Sequence, residues 1–171
     1  LGKEGRVCHR ERAPAPLQAF PGVTAIEIAD RVDESFDAAI IMECGDLVRA
    51  GVAGLERSFL INIDHHPGNS AYGQLNWCDS SAAACAEMVF DLIVALGAPL
   101  SREIATHVYV AILTDTGSFH YSSISPHTFN ICRTLLATGI DPVAIARQVY
   151  DSNSVGRLRL FAAVLTGMEI D

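Results

Sequence analysis

Three short segments place carboxylates and imidazoles directly after stretches too apolar to lie on a surface. Glu43 follows residues 37–42 (DAAIIM), Asp64-His65-His66 follows residues 58–63 (SFLINI), and Asp115 closes an apolar helical pattern within Thr114-Asp115-Thr116. Carboxylate oxygen and imidazole nitrogen suit manganese, magnesium, iron or zinc, whereas a structural zinc site would recruit cysteine thiolates. Manganese is the expected ion, with magnesium as the alternative. Two such ions side by side activate a water, orient a phosphoryl group and neutralise the attacking and leaving oxygens. Phosphoester hydrolysis is the expected chemistry.

Each of these residues also has an ordinary reading. A carboxylate after a strand serves equally as a solvated loop residue or a helix cap, which applies to Glu43 and Asp115 alike. The histidine pair is harder to explain that way. Flanked by Asp64 and the Pro67-Gly68 turn, the two side chains diverge and can serve metal and substrate separately. His9 in an irregular loop, His107 within a helix and His127 at a helix start are expected to be structural or exposed, and His120, close to Asp115, stays open. Cys44 has no specified base and is expected to be a small buried residue. Arg49 could bind phosphate or form a surface ion pair with Asp46. Asn69 is expected to hold the turn after the histidines.

The elements that must position these groups follow from pattern. Residues 37–42 and 58–63 read as parallel strands covered on both faces. A helix is expected over 80–96, capped by Ser80 or Ser81 and stopped by Gly97. Ser101 with Glu103 in the first turn opens another, ending near Leu113. Ser125-Pro126 and Asp141-Pro142 give the cap-then-proline signal for helices to about Ala137 and Tyr150, and Ser154 caps a last one. Strands alternating with helices predict an α/β domain, a mainly parallel sheet flanked by helices. In such sheets ligands bind beyond the carboxyl ends of the strands, where the three segments lie.

Composition bounds the rest. A chain of 171 residues, half of them apolar, buries a full core and reads as one domain. No apolar run reaches the roughly 18 residues that span a bilayer, so the expected location is the cytoplasm with no membrane partner. The five cysteines include no C-x-x-C pair, so neither a disulfide framework nor a zinc knuckle is expected. A net charge of −8 argues against a broad basic surface gripping nucleic acid. Bound cations would reconcile an acidic protein with an anionic substrate.

The segments I-D-H-H-P-G-N at 63–69, I-I-M-E-C-G-D-L-V-R-A-G at 40–51 and I-L-T-D-T-G-S-F at 112–119 resemble, in order and spacing, motifs of the DHH phosphoesterases. The opening L-G-K with its proline-containing loop and the closing helices resemble the subgroup of oligoribonucleases that act on very short RNA and on 3′-phosphoadenosine 5′-phosphate. The resemblance implies that Glu43 bridges two metal ions, that His65 and Asp115 ligate one of them, that Asp64 supports His65, and that His66 faces the scissile phosphate. Water activated by the ions would be the nucleophile. The family position matched by Glu43 is usually aspartate. Residues 1–171 are expected to form the DHH catalytic domain truncated at both ends, with the family's first motif before Leu1 and its glycine-rich substrate-binding domain after Asp171. The fragment alone is then expected to be inactive. The expected partner is a short oligonucleotide or a small nucleotide, and a homodimer is left open. Relatives that cleave cyclic dinucleotides, single-stranded DNA or pyrophosphate are alternatives, as are a non-catalytic metal- or nucleotide-binding module and an assembly scaffold with an incidental DHH tripeptide.

Overall fold

The computed structural model describes residues 3–169. Its central sheet has three parallel strands in the order β3 (Ala38–Met42), β4 (Phe59–Asp64) and β5 (Leu75–Cys78). Two short segments, β1 (Cys8–His9) and β2 (Glu27–Ile28), pair in parallel separately. Six helices are described: α1 (Leu47–Ala50), α2 (Cys85–Ala95), α3 (Arg102–Asp115), α4 (Pro126–Ala137), α5 (Pro142–Tyr150) and α6 (Val155–Thr166). The predicted α/β class with a mainly parallel sheet and flanking helices is the observed one.

Both predicted strands exist, but only β4 is covered as expected. Leu60, Asn62, Ile63 and Asp64 are buried there. On β3, Ile40 and Met42 remain 55% and 53% exposed, because α2 crosses β4 through Ile63, Cys85 and Met88 and does not reach β3. The third strand, β5, gave no apolar run to read; its four residues are exposed at the sheet edge. His9, assigned to a loop, lies in β1.

Helix α2 begins at Cys85, four residues beyond Ser81. Ser81 does not cap it; its hydroxyl and its N–H both donate to Asp79 Oδ1, at 2.6 and 2.9 Å, closing a local turn before the helix, whose cap position is Ala84. Glu87 instead reaches back to accept from the Ala83 N–H at 2.9 Å. Gly97 does stop this helix, at φ +62°, where an L side chain would be strained. The caps at Ser101, Ser125, Asp141 and Ser154 all accept from backbone N–H groups as predicted, and α3 runs to Asp115, two residues past the expected Leu113.

The core lies between α2, α3, α4 and α5, where Ala105, Ile112 and Leu135 are fully enclosed. It holds α3 rigidly, and the C-terminus of α3 carries Asp115. Three cysteines, Cys44, Cys85 and Cys132, are buried, Cys78 is exposed, and all five are free. Truncating Leu135 to Ala should cost about 2–5 kcal/mol, the usual range for an enclosed leucine that leaves a cavity. Chemical denaturation of Leu135→Ala checks it.

Candidate metal centre

The carboxyl ends of β3 and β4 and the end of α3 meet, as the apolar runs suggested. Glu43 leaves β3 with φ +59°, a left-handed conformation costing an L-residue about 1–2 kcal/mol. Its N–H still donates to the Ile63 carbonyl at 3.1 Å. The ladder is therefore kept while the chain turns, and the side chain comes to the sheet's edge.

His65 stands between two carboxylates. Its Nε2 lies 3.1 Å from Glu43 Oε1 and 3.0 Å from Asp115 Oδ2. Its Nδ1 lies 3.0 Å from the Ala82 carbonyl, which can only accept, so Nδ1 carries the proton. In the neutral ring Nε2 is then a lone pair facing two oxygen lone pairs. Asp115 Oδ2 is buried and makes no hydrogen bond despite its short distance to His65. A second proton on the ring would serve Glu43, the only carboxylate in hydrogen-bonding geometry with Nε2. A cation beside Nε2 would relieve this crowding, and the buried, unpartnered Asp115 Oδ2 lies 3.0 Å from that nitrogen.

The metal-free ring responds accordingly. Burial lowers the His65 pKa, but the Ala82 carbonyl and the charges of Glu43 and Asp115 outweigh it and leave the pKa raised. Cys85, whose thiol donates to the Ile63 carbonyl at 3.3 Å beside Glu43, is pushed by burial up to about 12. It remains a thiol and contributes no thiolate.

His66 joins the same cluster from the other side. Its Nδ1 donates to Asp64 Oδ1 at 2.8 Å and lies 3.6 Å from Glu43 Oε1. Glu43, His65 and His66 each bring one ligand atom to within 4.8 Å of the others. Asp64 therefore holds His66, correcting the expectation that it supports His65; a backbone carbonyl does that, and no side-chain pattern could have revealed it. Asp64 is fully buried, which would raise its pKa, yet hydrogen bonds from Asn69 and His66 lower it and keep it ionised.

Asn69 does more than hold its turn. Its Oδ1 accepts from the Ala71 N–H at 2.8 Å as expected, while its Nδ2 donates to Asp64 Oδ2 at 2.6 Å. Beneath it, fully buried Asn62 donates to Asn69 Oδ1 at 2.8 Å and to Asn76 Oδ1 at 3.2 Å. Sequence reading passed over Asn62, a polar residue inside an apolar run, which was the one available signal. Of the remaining histidines, His107 donates to the Pro21 carbonyl, His127 contacts Asp91, and exposed His120 makes no side-chain hydrogen bond among the described residues.

The sequence model of the DHH family, N-terminal domain, matches residues 6–112. The chain belongs to the DHH family. A bifunctional oligoribonuclease and PAP phosphatase NrnA of Thermus thermophilus is 38% identical over 115 residues, covering 67% of this DHH chain and 36% of that protein. The Bacillus subtilis protein of the same name is 26% identical over 139 residues, covering 77% and 44%. An exopolyphosphatase-related protein of Bacteroides fragilis superposes with a TM-score of 0.88 at 30% identity, covering 97% of this chain and 53% of that one. The chain thus spans between about a third and a half of the length of these relatives.

Removing the Asn69 partner of buried Asp64 should be costly. Asn69→Ala is expected to destabilise the fold by about 1–3 kcal/mol, since it strips a hydrogen bond from an enclosed carboxylate. Thermal denaturation against Asn69→Asp and the wild type measures it.

Proposed function

We propose that this protein is a metal-dependent phosphoesterase that hydrolyses phosphodiester or phosphomonoester bonds in short oligonucleotides or small nucleotides such as 3′-phosphoadenosine 5′-phosphate. The supporting observation is the convergence of Glu43 Oε1, His65 Nε2 and the orphaned Asp115 Oδ2. The scaffold alternative required these residues to lie far apart. The substrate class follows the printed names of the relatives. Residues 1–171 are read as the catalytic DHH domain, working in the cytoplasm; no described helix is long and apolar enough to cross a membrane.

In this reading Glu43, His65 and Asp115 hold a divalent cation, manganese first and magnesium as the alternative. When bound, that ion neutralises phosphoryl charge and lowers the pKa of the attacking water. The residues of the chain do the positioning. Ala82 fixes the His65 tautomer so that Nε2 faces the ion, the role an outer partner commonly plays. Asp64 fixes the His66 ring by its Nδ1, leaving Nε2 to face the substrate phosphate and hydrogen-bond a phosphoryl oxygen when protonated. Glu43 is one methylene longer than aspartate, and its left-handed backbone sets where that extra length places the carboxylate.

Manganese-dependent release of mononucleotides from a labelled RNA dinucleotide by the intact protein tests the reading. Turnover by the wild type and its loss in His65→Ala support it; no turnover on this ester or on 3′-phosphoadenosine 5′-phosphate contradicts it.

Proton competition sets the pH dependence. Manganese needs neutral His65, and the raised pKa keeps the metal-free ring protonated to a higher pH than an ordinary histidine. Apparent manganese affinity should therefore rise with pH through and above 6.5, the unperturbed value, then level off. Titration calorimetry at several pH values checks it, and His65→Ala should remove the dependence while weakening affinity by more than the roughly tenfold to hundredfold typical of losing an outer partner.

A further inference from the structure

Arg49 stands on the one-turn helix α1, four residues after Gly45. The sequence offered two roles for it, phosphate binding or an ion pair with Asp46. The second is not formed: Asp46 is the cap of α1, its Oδ1 accepting from the Val48 N–H at 2.9 Å, and Arg49 makes no ion pair or side-chain hydrogen bond among the described residues. An exposed arginine without a partner is ordinary by itself. Its place is what matters.

A methyl group placed on Gly45 would lie 3.6 Å from Asp64 Oδ2 and 3.8 Å from Arg49 Nη1. The guanidinium therefore reaches the same point as the carboxylate that anchors His66, with only the bare glycine backbone between them. It forms no ion pair within 4.0 Å with Glu43, Asp64 or Asp115, so it stands at the rim of the cluster rather than in it. Arg10, which also makes no ion pair among the described residues, has its Nη1 3.0 Å from the Cβ position of Gly51. In a chain of net charge −8, Arg49 is a cation without an ion pair among the described residues, close to Asp64.

Resting on the phosphoesterase reading, we propose that Arg49 binds a second, non-reacting phosphate of the substrate. The reacting phosphate belongs to the metal cluster and His66. A guanidinium at the rim of the site meets the next phosphate along, and its planar fork engages two oxygens of a terminal phosphate. A methyl group at Gly45 would stand in ordinary contact with both Arg49 and Asp64. The preferred substrates are then nucleotides or dinucleotides with a free terminal phosphate beside the scissile one.

The test compares a 5′-phosphorylated RNA dinucleotide with the same dinucleotide lacking that phosphate, on intact wild-type protein, Arg49→Gln, Arg49→Lys and the remote control Arg133→Gln. For Arg49→Gln we expect KM to rise about tenfold to a hundredfold on the phosphorylated substrate, the range for a lost charge-assisted contact, with kcat/KM unchanged on the other. Arg49→Lys should recover part of the loss, and Arg133→Gln should match the wild type. Equal losses on both substrates, or none, overturn the proposal. Calorimetric binding of adenosine 3′,5′-bisphosphate against adenosine is run in parallel. If the wild type hydrolyses neither substrate yet binds the bisphosphate tighter in an Arg49-dependent manner, the hydrolase reading fails and the phosphate site stands; Arg49-independent binding sinks the site.

Discussion

Two carboxylate oxygens and an imidazole nitrogen are pressed together at the edge of this sheet, and much of the surrounding structure keeps them there. Glu43 Oε1, His65 Nε2 and Asp115 Oδ2 meet within 3.1 Å of the imidazole nitrogen, and the Ala82 carbonyl takes the one proton that would otherwise ease the meeting. Lone pairs so placed repel unless a positive charge joins them. A proton on Nε2 relieves Glu43 and leaves Asp115 Oδ2 unpartnered.

The scaffold answers this repulsion with rigidity. Asp115 ends a helix whose inner face is enclosed by α2, α4 and α5, and Asp64 closes the most buried strand of the sheet. The chain Asn76, Asn62, Asn69, Asp64, His66 continues that rigidity as hydrogen bonds, each link between 2.6 and 3.2 Å. The network favours one arrangement, because a slip would strip hydrogen bonds from the buried Asn62 amide and Asp64 carboxylate, although Asn62 Oδ1 itself is without a partner among the described residues. The positive φ of Glu43 is strain that the Ile63 ladder bond holds in place.

Much of this was legible in the sequence because the signals were strong and local. Helices opened by Ser101, Ser125, Asp141 and Ser154 begin where the capping residues said, and the site residues follow the apolar runs that placed them. What escaped reading was decided by competition or by backbone. Ser81 is a good capping residue by type, yet its hydroxyl donates to Asp79 and the cap position falls at Ala84. Strand β5, short and exposed, forms because β4 offers it a ladder in register, Ile61 against Leu75 through Asp64 against Cys78. The exchange of partners between His65 and His66 turns on a carbonyl at Ala82, which carries no side-chain signature.

Anomalous diffraction from crystals soaked in manganese tests the central claim most directly. A peak contacted by His65 Nε2 and by oxygens of Glu43 and Asp115 is the predicted result. A site without manganese at saturating concentration, with His65 doubly protonated and hydrogen-bonded to Glu43, would contradict it.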